Sequence, residues 1–207
     1  MKKQKVKLNI GCGIRVVPGF INVDKMFTLE QLTNKEGPFK NSAMQDGVQY
    51  VQADARELPF DNSYADYIES VDMIEHIPMR DTKQVLSEMY RVLKKKGEIR
   101  IMTTNFDELA KLWTEFVDGK DIDFTDPNNQ FFNLAEVIYG NQHHGGEYHV
   151  APFNPRYMHA LLKYVGFTDI VINIFPTGCS DSPNMETAPW GEGLVARTEM
   201  MVAYARK

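Results

Sequence analysis

An α/β fold around an open sheet is the class this sequence predicts, and three observations carry that reading. A strand-like segment with Leu8 and Ile10 runs directly into Gly11-Cys12-Gly13, and a second alternating segment, Ile21-Asn22-Val23, ends at Asp24. Two more strand-like segments follow, Gln49–Asp54 and Asp66–Ser70, the first again ending in a carboxylate. A stripe of Val85, Leu86, Met89, Val92 and Leu93 at helical spacing then leads into the strand-like Glu98–Thr104, so strands and helix alternate. The glycine pair lets the backbone approach a ligand closely, because no Cβ intervenes. In an open parallel sheet, ligands bind beyond the carboxyl ends of the strands, where Asp24 and Asp54 would project.

A chain of 207 residues fits one domain with a full sheet and two helix layers. Apolar residues at 43% and charged residues at 25% are ordinary for a globular protein in water. A net charge of −5 speaks against sequence-independent nucleic-acid binding, which needs a basic face. Cys12 and Cys179 are too few for a disulfide framework, so a reducing, cytoplasmic location is expected. Val6–Ile10 is too short and polar for a secretory leader core, and no apolar run has the length of a bilayer span, so no membrane partner is expected. The chain has no internal repeat and no low-complexity tract.

After Asp24 the period is unclear: Gly37-Pro38 breaks the segment, and Met26, Phe27, Leu29 and Leu32 suggest a short helix or a covering loop. Leu58-Pro59-Phe60 and Asp61-Asn62-Ser63 make a turn-rich link. Asp81 and Gln84 are spaced for a capping box at the start of the main helix. Lys94-Lys95-Lys96 would fall in its last turn, where cations suit the helix dipole, with Gly97 as the stop. Leu109, Leu112, Trp113, Phe116 and Val117 mark an amphipathic helix and Phe131–Tyr139 another. Together with the glycine- and histidine-rich Gly140–His149, they make residues 106–153 a lid-like insertion within a single domain of residues 1–207. Asn154-Pro155 supplies an N-cap and first helical position, and Met158, Leu161, Leu162 and Val165 carry that helix to Gly166. Thr168–Phe175 is a strand, Thr177–Gly193 an irregular excursion, and Leu194–Ala205 a final strand.

The matching pieces are Leu8-Asn9-Ile10-Gly11-Cys12-Gly13, Asn22-Val23-Asp24, Ala53-Asp54-Ala55 with Leu58-Pro59-Phe60, Asp66 through Glu75-His76, and Glu88-x-x-Arg91-Val92-Leu93 ending at Gly97. In that order they resemble the class I methyltransferases that use S-adenosylmethionine, in particular the methyltransferase type 11 group. The resemblance implies one methyltransferase domain with a Rossmann-like seven-stranded sheet, mostly parallel with an antiparallel last strand and helices on both faces. It implies that Gly11, Cys12 and Gly13 line the methionine end of the cofactor, and that Asp24 holds the ribose hydroxyls. It further implies that Asp54 meets the adenine amino group with Ala55 beside it, and that Ser70 and Val71 line the cofactor's inner side. One spacing departs from the pattern. Gly13 and Asp24 are eleven positions apart, where nucleotide-binding spacing expects about twenty. Pro18 lies between them, so the first crossover helix is expected to be short or absent. Arg15 then becomes the candidate to clamp the methionine carboxylate, since a guanidinium can replace helix amides. Val16 occupies the third glycine position of Gly-x-Gly-x-x-Gly, which speaks against a nicotinamide oxidoreductase.

Methyl transfer from a sulfonium is an in-line displacement with an activated leaving group. The protein aligns the acceptor and, for a hydroxyl, removes its proton. His76 follows the fourth strand, where the family places its acceptor, and is the candidate general base; a capping or packing histidine is the plain alternative. No metal is expected, and His143, His144 and His149 are expected in a lid that touches substrate. An alternative comes from Asp72-x-x-Glu75-His76, which resembles the acid-x-x-Glu-His pattern of metal-dependent members such as ubiquinone-pathway O-methyltransferases and small-RNA 3′-terminal methyltransferases. There Asp72, Glu75, His76 and His149 would hold a divalent ion. The expected reaction is methylation of a small-molecule or metabolite acceptor at a hydroxyl. The alternatives are metal-assisted O-methylation of an RNA end or a quinone-like phenol, and a non-catalytic cofactor-binding interaction module. The motifs do not name the acceptor or the oligomeric state.

Overall fold

The computed structural model describes residues 4–34, 36, 47–117, 130–142, 146–176 and 199–207. His143, His144, Cys179 and the expected excursion from Thr177 to Gly193 lie outside the described residues, as does the start of the expected last strand. Seven strands form one sheet in the order β3-β2-β1-β4-β5-β7-β6. They are β1 (Lys7–Ile10), β2 (Ile21–Asp24), β3 (Gln49–Gln52), β4 (Ala65–Val71), β5 (Leu93–Thr104), β6 (Thr168–Pro176) and β7 (Glu199–Arg206). β1 to β5 pair in parallel, and β7, the last strand, runs antiparallel to both β5 and β6. The helices are α1 (Leu29–Thr33), α2 (Met79–Val92), α3 (Phe106–Val117), α4 (Gln130–Tyr139) and α5 (Pro155–Val165).

The two faces of the sheet differ in chemistry. Leu8, Ile68, Ile99 and Ala205 are successive register partners and share a face with Ile101 and Ala203. They join Val85, Leu86, Met89 and Val92 of α2 and Met158 and Leu162 of α5 in the main core. Each Leu, Ile, Val or Met side chain among them contributes about 1.5–3 kcal/mol on burial, so this core supplies most of what holds the helices to the sheet. On the other face a polar row crosses the sheet through register partners Tyr50, Asn22, Asn9, Glu69, Arg100 and Tyr204. Glu69 and Arg100 are buried there as an ion pair at 3.1 Å, and the Tyr67 hydroxyl donates to Glu69 at 3.3 Å.

As the spacing predicted, no helix connects β1 to β2. Buried Asn22 does the fastening instead. Its Oδ1 accepts from the Val17 amide at 2.7 Å and from Asn9 Nδ2 at 3.0 Å. Its Nδ2 donates to the carbonyls of Val17, Phe20 and Gln49. One side chain therefore ties the link to β1, β2 and β3, so the backbone groups left free by the missing helix are satisfied.

Two local expectations are corrected. Asp81 and Gln84 form no capping box: α2 starts at Met79 behind Pro78, which makes no side-chain cap, and the Asp81 carboxylate is held by Arg56 at 3.1 Å. The lysine run is not the last turn of a helix. α2 ends at Val92, and Leu93 already pairs with Ala65 in β5. Lys96 takes the left-handed conformation (φ 65), and Lys94 reaches Asp66 at 2.6 Å. A capping box does occur in α1, where Thr28 and Gln31 bond reciprocally. α5 begins and ends as read: Asn154 accepts from the Tyr157 amide, Pro155 opens the helix, and Gly166 (φ 117) closes it. α3 and α4 share their own small core of Leu109, Leu112 and Leu134, with Phe106 and Trp113 against it.

Candidate active site

The carboxyl ends of β1, β2, β3 and β4 bring the expected residues to one edge of the sheet. The Gly11 and Cys12 amides donate to the Val23 carbonyl at 2.8 and 3.1 Å, and the Gly13 amide donates to Asp24 Oδ2 at 2.8 Å. Gly11 (φ 73) has no room for a side chain, since a Cβ would come within 2.0 Å of Met73 Cγ. Gly13 (φ 54) faces open space. Cys12 is buried, and that burial, reinforced by Asp24, holds its thiol protonated. Asp24 Oδ1 accepts from the Met26 amide at 2.7 Å. Each Asp24 oxygen thus accepts one backbone N–H, and a carboxylate offers about four acceptor positions, which leaves capacity for two hydroxyls.

Asp54 is engaged differently. Its Oδ1 accepts from the Arg56 amide and Nε, and its Oδ2 from Arg56 Nη2 at 2.7 Å. Those hydrogen bonds lower its pKa to about 2. Arg56, on which the sequence reading was silent, therefore occupies both oxygens of the Asp54 carboxylate. Ala55 is buried beside it, Ser70 is buried with a hydroxyl that has no partner, and Val71 is half-buried.

Beyond β4 the backbone turns through Asp72 (φ 49) into a short 3-10 turn, Ile74–His76. Glu75 lies inside it at 2% exposure, and its carbonyl accepts the Val150 and Ala151 amides at 2.8 and 3.1 Å. His76 Nδ1 lies 3.0 Å from the Tyr148 carbonyl, and His149 Nδ1 lies 2.9 Å from the Val137 carbonyl. A carbonyl can only accept, so both Nδ1 atoms carry the proton and Nε2 is the basic atom of each neutral ring. The two rings meet edge to face with centroids 4.8 Å apart. One ligating atom from each of Glu75, His76 and His149 lies within 4.8 Å of the others. Burial, reinforced by His76, lowers the His149 pKa to about 4. Burial, reinforced by Asp72, raises the Glu75 carboxyl above its ordinary range.

Among the described residues this cluster brings Glu75, His76 and His149 together and leaves Asp72 out. Asp72 pairs instead with Arg15 at 3.6 Å. The sequence reading missed Thr103, near the carboxyl end of β5, and Asn105, just past it, whose Oδ1 is buried without a hydrogen-bond partner, as is the Ser70 hydroxyl. The Thr103-Thr104-Asn105 run at a strand's carboxyl end was the available signal.

Residues 8–101 match the family model described as a methyltransferase domain. Over 80 residues the chain is 32% identical to the ubiquinone/menaquinone biosynthesis C-methyltransferase of Vibrio vulnificus, a stretch that is 37% of this chain and 30% of that protein. The chain thus spans about a third of the length of the curated relatives it matches. A solved S-adenosylmethionine-dependent methyltransferase from Methanosarcina mazei is 15% identical, with 100% of this chain and 94% of that one covered and a TM-score of 0.63. One from Archaeoglobus fulgidus is 17% identical, with 100% and 87% covered and a TM-score of 0.59. Phosphoethanolamine N-methyltransferase 2 of Haemonchus contortus, solved with phosphomonomethylethanolamine and S-adenosylhomocysteine, is 19% identical, with 100% and 50% covered and a TM-score of 0.56. No described helix is long and apolar enough to cross a membrane. Residues 8–101 thus match a methyltransferase-domain model, and the full chain has the fold seen in solved S-adenosylmethionine-dependent methyltransferases.

Proposed function

We propose that the protein transfers a methyl group from S-adenosylmethionine to a hydroxyl of a small-molecule acceptor seated over His76 and His149. The observation that carries this reading is the fixed tautomer of His76: the Tyr148 carbonyl takes Nδ1–H and leaves Nε2 basic. When bound, the cofactor supplies a methyl group on a positively charged sulfur. Gly11 and Gly13 admit its methionine end, Asp24 has acceptor capacity for the ribose, and His76 takes the acceptor's proton. Residues 149–151, whose amides donate to the Tyr139 and Glu75 carbonyls, belong to the lid expected over residues 106–153. Asp54 meets adenine only if Arg56 yields part of its hold. Calorimetry with S-adenosylhomocysteine, followed by labelled methyl transfer to a metabolite extract, tests the reading. Binding in the micromolar range, about −8 kcal/mol, is expected. Failure to bind the product overturns the reading, and binding without transfer to any acceptor favours a non-catalytic interaction module.

A second reading is favoured by the convergence of Glu75, His76 and His149. Two imidazoles and one carboxylate form a donor set suited to a divalent transition ion, and both rings have Nδ1–H anchored on carbonyls, as metal-bound histidines usually do. Ligands at about 2.1 Å from one ion lie at most about 4.2 Å apart, so the widest pair has to close slightly. Bound there, the ion would lower the pKa of an acceptor hydroxyl such as a phenol or an RNA 3′ end. Loss of activity with a chelator and recovery with Mg²⁺, Mn²⁺ or Zn²⁺ would establish this reading, and chelator-resistant turnover would exclude it.

A further inference from the structure

Charge is spread unevenly over a chain whose net balance is −5. α2 and α5 lie over the same face of the sheet, with Val85, Leu86 and Met89 of one and Met158 and Leu162 of the other turned into the core. Their outer sides are left to solvent. On α5 that side carries Arg156, His159 and Lys163, all exposed and spaced three and four residues apart, hence in one stripe. On α2 it carries Arg80 and Lys83, also exposed. Lys83 joins the two rows: its ammonium donates to the Tyr164 hydroxyl at 3.2 Å and lies 4.8 Å from the centre of that ring. Tyr164 is 69% exposed. The carboxylates of the two helices are engaged elsewhere. α5 has none, and in α2 Asp81 is held by Arg56 at 3.1 Å and Glu88 by Arg91 at 2.7 Å. Arg80 reaches Asp81 only at 3.7 Å, and among the described residues Lys83, Arg156 and Lys163 enter no ion pair. A helix surface kept for solubility alone gains by interleaving opposite charges three and four residues apart. Here basic residues recur at that spacing, and Arg156 stands in the first turn of α5, where the helix dipole favours an acid and there is none. Folding therefore does not account for the stripe.

We propose that the outer face of α2 and α5 binds single-stranded nucleic acid, with Arg80, Lys83, Arg156 and Lys163 on its phosphates and Tyr164 under a base. A net charge of −5 excludes a basic molecule but not a basic face. The chemistry of the face selects this partner among polyanions. A bilayer surface needs apolar side chains to insert beside the cations, and an acidic protein needs an apolar centre to the contact. This face centres instead on one exposed aromatic ring amid cations, which is what a base and its flanking phosphates take. Single strands fit better than a duplex, because only an unpaired base offers its flat side to the ring.

Fluorescence anisotropy of an end-labelled RNA of mixed sequence, about twenty nucleotides long and titrated with the full chain, tests this. At about 50 mM salt the dissociation constant should fall in the micromolar range, and log affinity should drop with log salt at a slope of about −2 to −3, as three or four phosphate contacts on a single strand require. Lys83→Glu combined with Lys163→Glu should weaken binding about tenfold or more. Lys95→Glu combined with Lys111→Glu changes the net charge equally away from this face and should leave affinity within about twofold. Tyr164→Ala should weaken the single strand about fivefold or more and a duplex of the same length hardly at all. All five side chains are exposed, so melting temperatures of the variants should stay close to wild type and serve as the check on folding. No binding at about 50 mM salt overturns the proposal, as does an equal loss in the two double variants. Indifference to Tyr164→Ala also overturns it, since stacking then plays no part. Capture by vesicles one-third phosphatidylglycerol without binding of RNA assigns the face to a membrane, and displacement of RNA by polyglutamate charge for charge assigns it to an acidic protein; either result overturns the proposal.

Discussion

At the scale of single residues, Asn22 carries more than its size suggests. Asn22→Ala removes five hydrogen-bonding contacts and leaves the Val17 amide buried and unpaired. Urea unfolding should show a loss of about 2–4 kcal/mol, the cost of orphaned buried groups. His76→Ala should lower turnover about a hundredfold while S-adenosylhomocysteine affinity stays nearly constant. If turnover survives, His76 is a packing residue. The two buried groups beside it give stability a pH signature of opposite sign. His149 has its folded pKa lowered from 6.5 to about 4, so its contribution is complete above pH 6.5 and is lost as the pH falls toward about 4. Glu75 has its folded pKa raised, so its contribution is complete below its ordinary value of 4.5 and is lost as the pH rises through neutrality. Melting curves from pH 4 to 8 should therefore lose their acid slope in His149→Asn and flatten on the alkaline side in Glu75→Gln. A wild-type profile unchanged by both variants would show that neither group titrates differently on folding.

Elements that follow local rules were legible in advance. The start and stop of α5 are written in Asn154, Pro155 and Gly166, and Asn154→Ala should cost about 1 kcal/mol in thermal unfolding. The missing first crossover helix was legible from Pro18 and the short spacing to Asp24. The start of β5 was not. Lysines after an amphipathic stripe look like a helix end, yet Leu93 gains a strand partner in Ala65, and tertiary pairing outweighs the preference of Lys94–Lys96 for a last turn. Asp81 was misassigned for a similar reason: a carboxylate at the right spacing is a cap only if nothing stronger claims it, and Arg56 does. In the candidate site, Glu75, His76 and His149 could be grouped from their likeness to a pattern. The separation of Asp72 from them could not, because it depends on one left-handed backbone angle.

For the whole molecule, the polar row across the sheet sets terms that the apolar core does not. Glu69 and Arg100 sit in the middle of it, joining β4 to β5. Removing one charge, as in Glu69→Gln, leaves the other buried and should cost about 3–5 kcal/mol. Glu69→Leu combined with Arg100→Met should recover much of that loss, since apolar replacement of a whole buried pair is often near neutral. Urea unfolding of the single and double variants decides the matter, and additive losses would mean that the two charges are independent. Connectivity carries a further consequence. Surface loops usually accept inserted residues at small cost, because closure entropy grows slowly with length. Residues 11–20 cannot behave that way: the Gly13 amide is tied to Asp24, the Val17 amide to Asn22, and little chain lies between the two anchors. A single residue added there would pull one anchor from its partner. In this protein the stretch proposed to admit the cofactor is constrained first in its length and only then in its letters.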